Sequence, residues 1–114
     1  MSERIQRVNQ LIKRELGPII LKEIEFPPGV LVTLTRVETS VDLKQAKIYV
    51  SAIPRIKLDI VLKILNHRIY PLQQKLNKRL RMRPLPKIMF VEEKETSEAG
   101  RIEEILEELK SDGK

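Results

Sequence analysis

The chain has 114 residues, 41% hydrophobic and 33% charged, and contains no cysteine. That length holds one domain with a modest core, and without cysteine there can be neither disulfides nor thiolate metal sites. The formal net charge of +6 is uneven, since residues 58–88 carry eight basic residues and one acid whereas residues 89–114 carry four and nine. A basic middle followed by an acidic end suggests one face built for phosphate and another turned away from it.

Ser2 is placed to cap a first helix, whose apolar stripe is Ile5, Val8, Ile12, Leu16, Ile19 and Ile20. Gly17-Pro18 interrupts that stripe, and Pro18 lacks the amide that would bond four residues back, so a kink or a second short helix is expected there. Pro27-Pro28-Gly29 ends the helical region.

Residues 30–40 read as a strand in which Val32 and Leu34 keep one phase and Val37 and Thr39 the other, which predicts a β-bulge near Thr35 and Arg36. After a short connection, Ala46, Ile48 and Val50 alternate with Lys47, Tyr49 and Ser51 as a half-buried strand, and the two strands should form an antiparallel hairpin. Pro54 closes it. Val61, Leu65, Ile69, Leu72, Leu76 and Leu80 then mark a helical face, with Pro71 predicting a bend or split near Tyr70. Pro84 and Pro86 lead into a strand over residues 87–91. Ile102, Ile105, Leu106 and Leu109 mark a short acidic helix after Ser97.

The expected fold class is therefore α/β (α+β), a two-layer sandwich with helices on one face of three strands. One domain spans residues 1–110, and residues 111–114 form a frayed tail. No segment reads as a signal peptide or membrane span, so a soluble, cytoplasmic protein is expected.

The densest chemical signal is Lys75, Lys78, Arg79, Arg81, Arg83 and Lys87, at and after the end of the long helical region. Arg68, Lys75 and Arg79 fall along one helix edge, and such an edge can track a phosphate backbone. A merely solvated edge is the competing account, and charge of a single sign without interleaved Glu weighs against it. Arg4, Arg7 and Arg14 form a second basic edge on the first helix, where Glu3 and Glu15 make ordinary surface pairing nearly as good an explanation. Lys44 and Lys47 at the hairpin are a weaker signal. His67 has no partners at ligand spacing, so neither a catalytic nor a metal role is indicated. No glycine pattern cradles phosphate, and the scattered Phe26, Tyr49, Tyr70 and Phe90 do not make a platform of stacked ring pairs.

Several stretches form a recognisable pattern: Arg7-Val8 with Glu15-Leu16, the run from Val32 through Thr33, Leu34, Thr35, Arg36 and Val37 to Glu38, Ser40, Asp42-Leu43, and Ala46-Lys47-Ile48-Tyr49-Val50-Ser51. Leu80-Arg81-Met82-Arg83, Pro86, Phe90, Ser97-Glu98, Gly100 and Arg101-Ile102 continue it. Over about residues 4–109 the chain resembles the bacterial ribosome-binding factor A family. The resemblance implies a type II KH-like fold, and binding to the small (30S) ribosomal subunit during late maturation of 16S precursor RNA and growth in the cold. It also implies action without cofactor or metal, and release linked to an assembly GTPase; nothing in the sequence demands more than a monomer. Where the family has an Ala-x-Gly kink between its central helices, this chain has Arg68-Ile69-Tyr70 followed by Pro71, which can supply the bend. The first helix departs from the pattern at Gly17-Pro18.

The residues and the resemblance together predict a non-enzymatic assembly factor that contacts RNA through Arg68, Lys75, Lys78, Arg79, Arg81, Arg83 and Lys87, supported by Arg4, Arg7 and Arg14. The alternative is a protein–protein module that uses the acidic C-terminal helix and a sheet edge. A permanent ribosomal protein is a further possibility within the first class.

Overall fold

The computed structural model describes residues 3–82 and 85–94. Helix α1 (Glu3–Glu23) is followed by strands β1 (Leu31–Thr39) and β2 (Gln45–Ile53), a 3-10 turn (Arg55–Lys57), helices α2 (Leu58–His67) and α3 (Ile69–Arg79), and strand β3 (Lys87–Glu92). This is the element order of the type II KH-like fold. The expected cap Ser2, the acidic C-terminal helix and the 111–114 tail lie outside the described residues.

The sheet order is β1-β2-β3. The hairpin pairs β1 with β2 antiparallel, as expected, and β3 lies parallel to β2. That parallel pairing needs a long crossover, which α2 and α3 provide. Leu34 pairs with Val50 and Arg36 with Tyr49, so Thr35 is the extra residue of a bulge. The bulge reconciles the two phases of β1. Val32 and Leu34 before it and Val37 after it all reach the core, and the freed Thr35 carbonyl accepts a hydrogen bond from Lys13 Nζ at 3.1 Å.

The core lies between one sheet face and the helices. Ile12 and Leu16 of α1, Val61 and Leu65 of α2 and Leu72 and Leu76 of α3 are fully buried against Ala46, Ile48 and Val50 of β2. Each large apolar side chain so buried contributes about 1.5–3 kcal/mol.

The structure decides between the alternatives left open at the two helical prolines. First, α1 runs as one helix through Gly17-Pro18, with no second helix starting at Pro18. A proline inside a helix costs about 3 kcal/mol, but burial of Leu16, Ile19 and Ile20 on either side holds the element together. Second, the central helices do split near Tyr70, with the junction at Arg68. Pro71 is then the third residue of α3, in the first turn, where amides have no intrahelical acceptor and a missing one is tolerated. The Arg68 amide closes α2 by bonding the carbonyls of Ile64 and Leu65, both at 3.2 Å.

Candidate nucleic-acid interface

The basic residues singled out in the sequence divide into four groups in space. Lys75 and Arg79, one turn apart on α3, face α1. Lys75 Nζ lies 3.5 Å from Glu23 and Arg79 Nη1 lies 3.6 Å from Glu15, which also pairs with Arg14 Nε at 3.1 Å. Higher α3 numbers meet lower α1 numbers, so the two helices run antiparallel. These pairs are loose and about half exposed, with side-chain exposures of 48% for Lys75 and 47% for Arg79. Each contributes no more than about 1 kcal/mol. Their effect is electrostatic: the carboxylates missing from the sequence of α3 are supplied by α1.

Lys78 and Arg81 are exposed and make no ion pair among the described residues. They sit at the end of the molecule where α3 gives way to β3, and three polar clamps fix that end. Gln73 accepts a bond from the Ile88 amide at 2.8 Å and donates to the Pro86 carbonyl at 3.2 Å, tying α3 to the start of β3. The Lys87 amide bonds the Lys44 carbonyl at 3.0 Å, joining β3 to the hairpin turn. Asn9 Oδ1 accepts from the Thr39 amide at 2.9 Å, holding α1 against the end of β1. The exposed Arg4 and Arg7, which likewise make no ion pair among the described residues, therefore share this end with Lys44, Lys78 and Arg81.

The hairpin turn itself is built around Asp42, which accepts from the Ser40 hydroxyl at 2.6 Å and the Lys44 amide at 3.1 Å. Those two bonds, with the charge of Lys44, hold the Asp42 carboxyl below its ordinary range. Leu43 takes a positive φ of 60° and packs its side chain partly against the core.

Lys87 reaches the same end but on the opposite side of the sheet. It alternates with buried Ile88 and Phe90 and so projects from the helix-free face, as Lys47 does on β2. Arg68 is at the other end of α3, roughly 16 Å from Arg79 along the helix. There it borders an open hollow of about 600 Å³ with Lys63, His67, Glu23 and Glu25. Arg83 lies outside the described residues. The single edge expected from Arg68 to Arg79 is thus interrupted by the carboxylates of α1.

Sequence reading named Glu15 as a partner for the first helix's own arginines but missed its reach to Arg79, and missed Glu23 as a neutralising residue and Gln73 and Asn9 as positioning ones. These missed contacts carry no local signal, because each joins residues brought near only by the fold. No cluster of three His, Cys, Asp or Glu side chains that could hold a metal exists among the described residues. No helix among them is long and apolar enough to cross a membrane.

Comparisons with known proteins follow the same outline. The family model of ribosome-binding factor A matches residues 4–106. The chain is 33% identical to the ribosome-binding factor A of Thermodesulfovibrio yellowstonii over 95% of this chain and 92% of that protein. It is 37% identical to that of Akkermansia muciniphila over 79% of this chain and 71% of the relative. Among solved structures it resembles the crystal structure of the Thermus thermophilus factor, with a TM-score of 0.68 and 27% identity over 77% of this chain and 94% of that one. It also resembles coordinates of the Thermus factor fitted into a cryo-electron microscopy map of a complex with the 30S subunit, at a TM-score of 0.65 and 28% identity, covering 77% and 93%. With its fold and its sequence both matching, the chain belongs to the ribosome-binding factor A family.

Proposed function

We propose that this protein binds the small ribosomal subunit during its late assembly and assists maturation of 16S precursor RNA by occupancy, without chemistry. The observation that carries the reading is its likeness to the Thermus factor, whose coordinates were fitted on the 30S subunit. The end of the molecule carrying Lys78, Arg81, Arg4 and Arg7 supports an RNA contact there, since these four exposed cations make no ion pair among the described residues. Lys87 lies at the sheet side of the same contact, and Arg83, two residues after Arg81 in the sequence, is a further candidate for RNA binding. Lys75, Arg79 and Arg14 are secondary because Glu15 and Glu23 already pair with them. Arg68 would touch RNA only as a separate contact.

A positioned cationic end favours one RNA arrangement over another by binding it more tightly, which shifts the equilibrium between folding states of the RNA. The protein acts as a monomer in the cytoplasm, needs no cofactor, and leaves the subunit with the help of a partner GTPase. Co-sedimentation with immature and mature 30S subunits across a salt series tests the reading. The expected result is salt-sensitive binding that prefers immature subunits and is lost in Lys78→Glu/Arg81→Glu. Wild-type protein that stays in the supernatant at low salt would refute it. Binding indifferent to salt would point to a protein–protein contact instead.

A further inference from the structure

The helix-free face of the sheet carries a prepared planar cation that the contact described above does not use. Arg36 and Tyr49 are cross-strand partners on this face. The Arg36 guanidinium lies over the Tyr49 ring, 3.8 Å from its centroid. Much of its edge is engaged: Nε donates to Glu93 at 3.1 Å, Nη2 donates to the other Glu93 oxygen at 3.4 Å, and Nη1 pairs with Glu38. The Thr35 hydroxyl of the bulge donates to Glu93 at 2.7 Å, and Tyr49 donates its hydroxyl to Glu38 at 3.3 Å. With one face on a ring and three of its N–H groups on two carboxylates, the guanidinium is held flat with its outer face open. The Arg36 side chain remains 43% exposed.

Such a face suits an unstacked nucleobase, which binds Arg guanidinium planes as it does aromatic rings. The surroundings favour RNA over an apolar partner. A hollow of about 340 Å³ beside Arg36 and Tyr49 is bordered by Lys47, Val91, Glu92 and Lys94. Lys47 sits about 7 Å from Tyr49 along β2, and Lys87, paired with Gln45, continues the row toward the basic end. Both lysines are exposed and make no ion pair among the described residues. The exposed apolar pair of this sheet, Leu31 and Ile53, is at the opposite end of the strands.

We propose that the open sheet face binds single-stranded RNA, stacking one base on the outer plane of Arg36 and holding the adjoining phosphates on Lys47 and Lys87. This deepens the assembly-factor reading, on which it rests, by assigning a second contact made to an unpaired segment. The test uses the full chain and two probes, a short oligoadenylate and a ribose-phosphate oligomer of the same length without bases. Wild type should bind oligoadenylate roughly tenfold more tightly than the abasic oligomer. Arg36→Lys, which keeps the charge and loses the plane, should lose that preference while still binding the abasic oligomer. In wild type, the Arg36 Nε–H and Tyr49 ring resonances should shift on adding oligoadenylate, a readout that needs no variant to fold.

Equal affinity for the two probes, or resonance shifts confined to residues near Lys78 and Arg81, would overturn the proposal. Shifts of Tyr49 that grow with protein concentration in the absence of RNA would also overturn it, assigning the face to a second copy of the chain. Since 30S binding is read separately through Lys78 and Arg81, these failures would leave the assembly-factor reading intact.

Discussion

Lys75 and Lys78 are three residues apart on α3, yet they have opposite surroundings. Lys75 lies in the seam with α1 and pairs with Glu23, as Arg79 pairs with Glu15. Lys78 and, beyond the helix, Arg81 face solvent without a carboxylate partner among the described residues. A count of charges over residues 75–81 ranks all four alike. The fold separates them, because the neutralising groups belong to a helix more than fifty residues earlier. A basic stretch is therefore an RNA-binding surface only where tertiary packing leaves its charges unanswered.

The strongest way to break the comparison is to loosen the seam. Leu76 is fully buried between the seam cations, and Leu76→Ala should lower stability by about 2–5 kcal/mol in urea unfolding. A loss below about 1 kcal/mol would mean that α3 does not depend on this packing.

A gentler change sharpens the comparison. Glu15→Gln releases Arg14 and Arg79 together, so RNA affinity at low salt should rise a few-fold while stability moves by less than about 1 kcal/mol. Filter binding at low and high salt would show the gain vanishing as salt rises. An unchanged low-salt affinity would show that the carboxylate does not restrain the two arginines.

The smallest expected effect is on the open face of the sheet. Burial pushes the Glu93 carboxyl up, but bonds from Arg36 and Thr35 and the guanidinium charge outweigh it and leave it below its ordinary range. A depressed carboxyl contributes stability above its unfolded pKa, about 4.3, and loses it as pH falls through the folded value. Melting curves recorded between neutral and strongly acid pH should therefore converge for wild type and Glu93→Gln at the acid end. A constant gap between them would show that the Glu93 charge plays no part.

Much of the fold was legible in the sequence because it rests on local patterns. The stripe of α1, the alternation of β2 and the double phase of β1 each state which side is buried, and the bulge at Thr35 follows from the last of these. Pro71 announced a break, but its position depended on where α3 could begin with a missing amide, which set the junction at Arg68. At Pro18 no second helix starts, because burial of the residues around it keeps α1 continuous. The site was less legible than the fold. The cationic side chains were visible one by one, whereas their division into a paired seam, a free end, the open sheet face and the separate Arg68 depends on long-range contacts such as Arg79 with Glu15 and Gln73 with Ile88. No spacing rule within one segment encodes these.

The most direct test of the account is the salt dependence of affinity for one structured RNA, measured for wild type, Lys78→Gln/Arg81→Gln and Lys75→Gln/Arg79→Gln. Each lost phosphate contact should reduce the slope of log affinity against log salt by about 0.7–0.9. The account predicts a fall of about 1.5 for the Lys78/Arg81 variant and almost none for the seam variant. Equal losses in the two variants, or a larger loss from the seam, would contradict it.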